Sequence, residues 1–196
     1  MNGKEVIELL KTRRSIRQFS QKELPREIIR ACIDTARLSP SAANLQPLEY
    51  FYVDDNDKCD QIFPLLQWAA YIQPAGDPQP DQRPTAYLTV LLNQEKKQIK
   101  PAYETGAAIE NFIIAAWAYG IGTCWLLSVD REQFRTKFNV PDKYKIDSVI
   151  AIGYPAEKPV VEPYEDDIKY WQDEQGKLHV PKRSLEDILT VNSFKD

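Results

Sequence analysis

The sequence predicts a single mixed domain in which helices pack against a sheet of buried strands. Three observations lead there. The 196 residues suit one domain, or one domain with appendages, and can bury a substantial core. Four runs of strand length, 48–53, 87–92, 123–127 and 148–153, are apolar or aromatic, as buried strands are. Between them lie segments of helical periodicity, the longest at 103–119.

From the amino terminus, Val6, Ile7, Leu9 and Leu10 recur at helical spacing in a short first helix. It ends at a basic knot, Arg13-Arg14-Ser15-Ile16-Arg17. Pro25 can open a second helix, lined on one face by Ile28, Ile29, Cys32, Ile33 and Ala36. Pro40 disfavours helical geometry at Ser39 and so stops it. Residues 39–47 are loop chemistry leading into the strand at 48–53. A helical stretch follows, broken at Pro64, and the four prolines within 74–84 predict an exposed excursion. The helix at 103–119 carries Ala107, Ala108, Ile109, Phe112, Ile113, Ala115, Ala116 and Ala118. Apolar on most sides, it belongs in the middle of a protein or of an interface. The strands at 123–127 and 148–153 flank an amphipathic helix at 130–138. Beyond Gly153 the composition turns to Pro, Glu, Asp and Lys, studded with Tyr164, Tyr170 and Trp171. Such a tail, residues 155–183, is expected to lie across another surface rather than fold on itself, and residues 184–190 to form a last short helix.

Composition removes several function classes. A net charge of −4 leaves no basic excess to neutralise a nucleic acid, so any anion site must be a local cluster of cations. No run of 18 apolar residues would span a membrane, and the opening MNGKEVIELLKTRR lacks the apolar region of a signal peptide. Cys32, Cys59 and Cys124 are far apart and odd in number, which fits neither a disulfide framework nor a C-x-x-C pair. His179 is the one histidine, too poor an inventory for a soft metal site. The expectation is a cytoplasmic protein with reduced thiols and no metal.

Three segments could carry chemistry. The knot at 13–17 reads as a solvated basic turn or as an anion site. Its three guanidiniums repel one another, and arginine suits bidentate phosphate binding that a hydroxyl or backbone N–H can complete. Residues 39–47, S-P-S-A-A-N-L-Q-P, could be a plain helix-to-strand connection. Its small residues would also let a planar ligand approach the backbone, and Asn44 and Gln46 offer donors and acceptors to a heteroaromatic edge. In Gly120-Ile121-Gly122-Thr123-Cys124-Trp125, Gly120 suits a helix C-cap. The glycines follow a helix instead of joining a strand to one, so they are no dinucleotide fingerprint. Cys124 reads as a small buried hydrophobe rather than a nucleophile.

In this order, R-R-S-I-R, S-P-S-A-A-N-L-Q-P, G-A-A-I-E-N-F-I-I-A-A-W-A-Y-G-I-G-T-C-W-L, I-A-I-G-Y-P-A-E-K-P and P-K-R-S-L-E-D-I-L resemble the FMN-dependent nitroreductase family across nearly the whole chain. The resemblance implies an α+β fold, a mostly antiparallel sheet flanked by helices, with residues 1–154 as the FMN-binding domain. It also implies an intertwined homodimer in which the central helix pairs with its copy and residues 155–196 embrace the partner. FMN phosphate would be held by Arg13, Ser15 and Arg17, with Arg14 nearby, and Arg183, supported by Lys182, would add to the cluster. Pro40, Ser41, Ala42, Asn44 and Gln46 would lie along the ring bound mainly by the other subunit. Backbone N–H groups of Leu126, Leu127 and Ser128 would face the ring's N5 and O4, with Trp125 alongside. The activity implied is ping-pong: NADH or NADPH gives hydride to flavin N5, and two electrons pass to a nitroaromatic, quinone or enone. No catalytic acid or base is required of the protein. The resemblance leaves open a specialised branch that consumes the flavin or removes halogen from an aromatic ring, for which residues 55–84 would have to supply a lid. A flavin-binding protein without turnover and a non-flavin structural dimerisation domain are the remaining readings. Leu48 stands where many relatives carry Trp.

Overall fold

The computed structural model describes residues 2–193. Five helices, α1 (Gly3–Thr12), α2 (Arg26–Arg37), α3 (Asn56–Ile62), α4 (Pro101–Ala118) and α5 (Arg131–Phe138), surround a sheet of β1 (Phe19–Ser20), β2 (Leu48–Val53), β3 (Ala86–Asn93), β4 (Gly122–Leu126) and β5 (Tyr144–Pro155). All its pairings are antiparallel: β2 with β3, β3 with β5, and β5 with both β4 and β1. The long β5 is the spine, joining β4 through 149–153 and β1 through Tyr154 and Pro155.

Both faces of the sheet are covered, which explains why its strands read as continuous apolar runs. On β3, Leu88 and Val90 point toward α2 and α4, whereas Tyr87 and Leu91 point toward the α3 and α5 side. On β5, Ile150 and Ile152 share the first core and Val149 and Ala151 the second. This is the two-face alternation of a strand, hidden in the sequence because both sides are apolar.

The helices begin and end where the chemistry directs. The Asn2 side chain accepts from the N–H groups of Lys4 and Glu5 at 3.0 and 3.1 Å, and Glu5 returns a bond to the Asn2 N–H at 2.9 Å, a capping box. Gly120, at φ 72°, follows α4 in the left-handed conformation expected of a helix terminus. The face of α4 carrying Ala108, Ile109, Phe112, Ile113 and Ala116 is buried against α2 and the sheet. Tyr103 on the same helix is 73 % exposed, so in a single chain the apolar helix is only half covered. No residue of α1 is buried, and its apolar Val6, Ile7 and Leu10 stand exposed.

Three expectations need correction. The segment at 155–183 does fold on itself: β6 (Val160–Pro163), β8 (Leu178–Lys182) and β7 (Trp171–Gln172) form a three-stranded sheet. Trp171 stacks on His179 at 4.2 Å, and its indole N–H donates to Glu162 at 2.7 Å. His179 bridges Glu162 and Asp173 at 3.0 and 3.2 Å. Backbone ladders and these polar contacts replace the apolar core that the composition lacks. Residues 184–190 form a turn around Leu185, whose carbonyl accepts from Ile188 and Leu189, not a helix. The 74–84 excursion is less exposed than its prolines imply, since Gly76, Pro78 and Pro84 are buried. The short β1 was not visible as a strand, because two residues carry no period.

Candidate functional site

The basic knot is fixed to the sheet by its backbone. Ser15 forms a parallel bridge with Thr123, and the Ile16 N–H donates to the Thr123 carbonyl at 2.9 Å. Gly122 makes this approach possible: a Cβ there would lie 2.8 Å from Ile16 Cγ1 and 2.9 Å from Ile16 Cβ. Thus the first and third chemical segments, far apart in sequence, meet along one edge of β4. Successive residues of a strand present their backbone groups to opposite edges. Since Thr123 faces the 13–17 turn, Trp125, two residues on, directs its backbone groups to the same open edge, while Leu126 faces β5. Trp125 and Leu127 also expose their side chains, and Leu126 is buried. The Leu127 carbonyl is held by Arg131 at 3.0 Å, and the Ser128 hydroxyl is occupied with Gln67 at 2.9 Å.

The arginines of the turn differ in their partners. Arg13 lies 3.6 Å from Glu110 of α4. Arg14 donates through Nη1 to the carbonyls of Lys11 and Arg13, each at 2.6 Å. Burial, aided by Arg13, pulls its guanidinium below the usual arginine range. The Arg17 guanidinium lies under the Tyr170 ring at 5.0 Å, and Tyr170 in turn packs on Tyr71 at 4.9 Å. Both Arg14 Nε and Arg17 Nε are buried without a hydrogen-bond partner. Unpartnered buried donors are uncommon, and each is a binding opportunity for an acceptor. Glu157 accepts from the Arg17 N–H and, at 3.1 Å, from the Gln18 N–H, which fixes the backbone at the end of the turn. Burial pushes its carboxyl above the ordinary value against the pull of those bonds.

The 39–47 loop sits elsewhere, at the amino-terminal end of α4. Ser41 Oγ donates to Glu104 at 2.6 Å, and the Ala42 N–H donates to the same carboxylate at 3.3 Å. Gln46 spends its side-chain amide on Asn44, Nε2 to Oδ1 at 3.0 Å. A cavity of about 120 Å3 opens beside the loop, lined by Pro40, Ser41, Gln46, Tyr50, Lys96 and Glu104. The other end of α4 touches the basic knot's side of the molecule through Trp117, whose indole N–H donates to Thr12 at 3.2 Å. Glu104 and Trp117 are about 20 Å apart along the helix at its usual rise. One chain therefore brings together Arg13, Arg14, Ser15, Arg17, Trp125 and Leu127, and holds Pro40, Ser41, Ala42, Asn44 and Gln46 at the far end of α4. Of the basic pair near the carboxyl terminus, Arg183 donates to the Asp187 carbonyl at 2.6 Å, and Lys182 ends β8.

Glu104 and Glu157 were missed in the sequence. A carboxylate in the first turn of a helix that is otherwise mostly apolar was the available signal for Glu104. For Glu157 it was its place in the A-E-K-P run after β5. A cleft of about 830 Å3 lies apart from these groups, among Gln21, Glu23, Arg26, Asp54, Asp60 and Arg83. Its carboxylates outnumber its cations, so it does not suit a phosphate. The three cysteines are free and buried, and burial raises the Cys124 thiol further from the reactive thiolate. Among the described residues no group of three or more His, Cys, Asp or Glu side chains could hold a metal ion, and no helix is long and apolar enough to cross a membrane.

A family model described as the Nitroreductase family matches residues 10–154, which takes in the knot, the loop, α4 and β4. The chain belongs to the nitroreductase family. Among similar members is a protein named "Putative NADH dehydrogenase/NAD(P)H nitroreductase" from Methanothermobacter thermautotrophicus, 30% identical over 161 residues, covering 79% of this chain and 80% of that one. The fold agrees with solved nitroreductase-family structures. One from Clostridium difficile 630 superposes with a TM-score of 0.69 at 16% identity, covering 99% of this chain and 100% of that one. Another, described as an FMN-dependent nitroreductase from Clostridium difficile R20291, gives 0.65 at 24% identity over 82% of this chain and 92% of that one. The α+β architecture with an antiparallel sheet is thus the nitroreductase fold.

Proposed function

We propose that the chain is an FMN-dependent oxidoreductase, reduced by NADH or NADPH and passing two electrons by ping-pong to a small electrophilic acceptor. Family membership and the names of its relatives support the class. The observation that carries the cofactor reading is the 13–17 turn, locked onto β4 with the buried Nε atoms of Arg14 and Arg17 unpartnered. In a protein of net charge −4, this local concentration of guanidinium fits a phosphate dianion. FMN, when bound, supplies hydride chemistry at N5, which no side chain here could supply.

The chain's own groups bind and orient. Arg13, Arg14 and Arg17 neutralise the phosphate and Ser15 completes its hydrogen bonds, with Lys182 and Arg183 brought in by the extension at 155–196. The open edge of β4 offers the N–H group of Trp125 to the edge of the ring, with Leu127 just beyond the end of the strand, and Trp125 packs beside it. Fixed backbone donors cost no reorganisation when charge develops on a bound ring. Pro40, Ser41, Ala42, Asn44 and Gln46 close the site from a second copy of the chain. Arg13 reaches α4 at Glu110, about 9 Å along the helix from Glu104; the loop's place at the far end of α4 favours this division, as do the uncovered faces of α1 and α4. No acid or base within the site is asked to move a proton.

Mixing the yellow protein anaerobically with NADH or NADPH tests the reading. Bleaching of the flavin band, and its recovery on adding menadione or nitrofurazone, is the expected result. A flavin that neither cofactor bleaches would contradict turnover.

A further inference from the structure

The loop at 39–47 is held in a conformation it would not choose. Ala43, Asn44 and Gln46 have φ of 50°, 56° and 48°, the left-handed region that a Cβ disfavours. Such conformations persist only where the surroundings over-determine them. Here the determinant is Glu104. It is 5% exposed in the first turn of α4, and both its oxygens are turned toward the loop: Oε2 to the Ser41 hydroxyl at 2.6 Å, Oε1 to the Ala42 N–H at 3.3 Å. Having donated its hydrogen, Ser41 Oγ accepts from the Gln46 N–H at 2.9 Å. A chain of hydrogen bonds from Gln46 through Ser41 to Glu104 therefore ties the two ends of the strained segment. Lys96 adds a bond to the Gln46 carbonyl at 3.0 Å. Burying a carboxylate whose hydrogen-bond partners are neutral donors is an expensive way to pack a helix. Fixing a loop is what the arrangement accomplishes.

We propose that Glu104 is a positioning residue for the flavin: it sets the shape in which Pro40, Ser41, Ala42 and Asn44 meet the ring. The proposal rests on the flavin reading above, and its test separates the two. FMN-loaded Glu104→Gln, Ser41→Ala and the double variant are compared with the native chain by FMN dissociation constant, visible circular dichroism and midpoint potential of the bound flavin. Glutamine keeps the size of the side chain but removes the charge, and its NH2 faces either the Ala42 N–H, losing that bond, or the Ser41 hydroxyl, which must then turn from donor to acceptor. The expected result is a changed dichroism band, a shifted potential and about tenfold weaker FMN binding for each single variant, the scale of one charge-assisted hydrogen bond. The double variant should be no worse than the worse single one, since both break the same tie. Variants with lower Tm but native affinity, spectrum and potential would overturn the proposal and leave Glu104 a structural residue. Additive losses would also overturn it, by showing that Ser41 acts on the ring independently. Should Glu104→Gln fail to fold, Glu104→Asp, which keeps the charge but draws it back from the loop, decides through the same three readouts. A native chain that takes up no FMN would instead sink the flavin reading itself.

Discussion

Gly122→Ala probes the contact that builds the proposed phosphate site. The new methyl group would sit 2.8 and 2.9 Å from two atoms of Ile16 and 3.0 Å from Pro155 Cγ. Ile16 is 1% exposed and its N–H is bonded to Thr123, so it has nowhere to move without dragging the 13–17 turn. Overpacking of this kind costs about 1–3 kcal/mol. Replacing a strand glycine returns about 0.5–1 kcal/mol through the unfolded chain. The net expectation is a loss of up to about 2.5 kcal/mol, and for a chain this long each kcal/mol lowers Tm by about 2–4 °C. Gly3→Ala is the control, because nothing lies within 4 Å of its Cβ. Thermal unfolding of the cofactor-free protein reads the stability, and fluorescence quenching reads FMN affinity on the same samples. The account requires Gly122→Ala to lose both, with the control unchanged. A Gly122→Ala protein as stable and as retentive of FMN as the native one would refute the packing of the turn on β4.

Three other outcomes are expected. Arg17→Ala should weaken FMN binding by about 1.5–3 kcal/mol, roughly 10- to 150-fold, measured by equilibrium dialysis, with little change in binding of riboflavin, which has no phosphate. Ile7→Glu alters a side chain 51% exposed in a single chain, so the fold should survive while sedimentation velocity shows monomers that release FMN. Glu157, raised by burial above its ordinary 4.5, destabilises the fold while it is charged. That penalty is full above its folded value, fades as pH falls through it, and vanishes below the ordinary value. Glu157→Gln keeps an acceptor without the charge, so its urea-unfolding advantage over the native chain should be greatest at neutral pH and shrink toward pH about 4; an advantage independent of pH would contradict the burial argument.

Much of the fold was legible because its signals are local. Helix α2 shows Pro25 at one end and Pro40 beyond the other, and β2 is bounded by Pro47 and an acidic turn. The cap at Gly120 follows from backbone preference alone. What the sequence hid depends on contacts between distant residues. Gly122 looks like a partner to Gly120 in a G-x-G turn, yet its reason is Ile16, more than a hundred positions away. The sheet formed by β6, β7 and β8 is held by ladders and by Trp171, His179, Glu162 and Asp173, none of which leaves a hydrophobic period. The residues of the site were legible as types and not as an arrangement. The three arginines are visible as a cluster, whereas the far placement of the 39–47 loop follows only from the length of α4.

The claim on which everything turns is that two copies grip FMN by its phosphate. A native mass spectrum of the protein mixed with equal amounts of FMN and riboflavin tests it in one experiment. Two chains carrying two FMN and no riboflavin are predicted. A single chain, or a pair that takes riboflavin as readily as FMN, would contradict it.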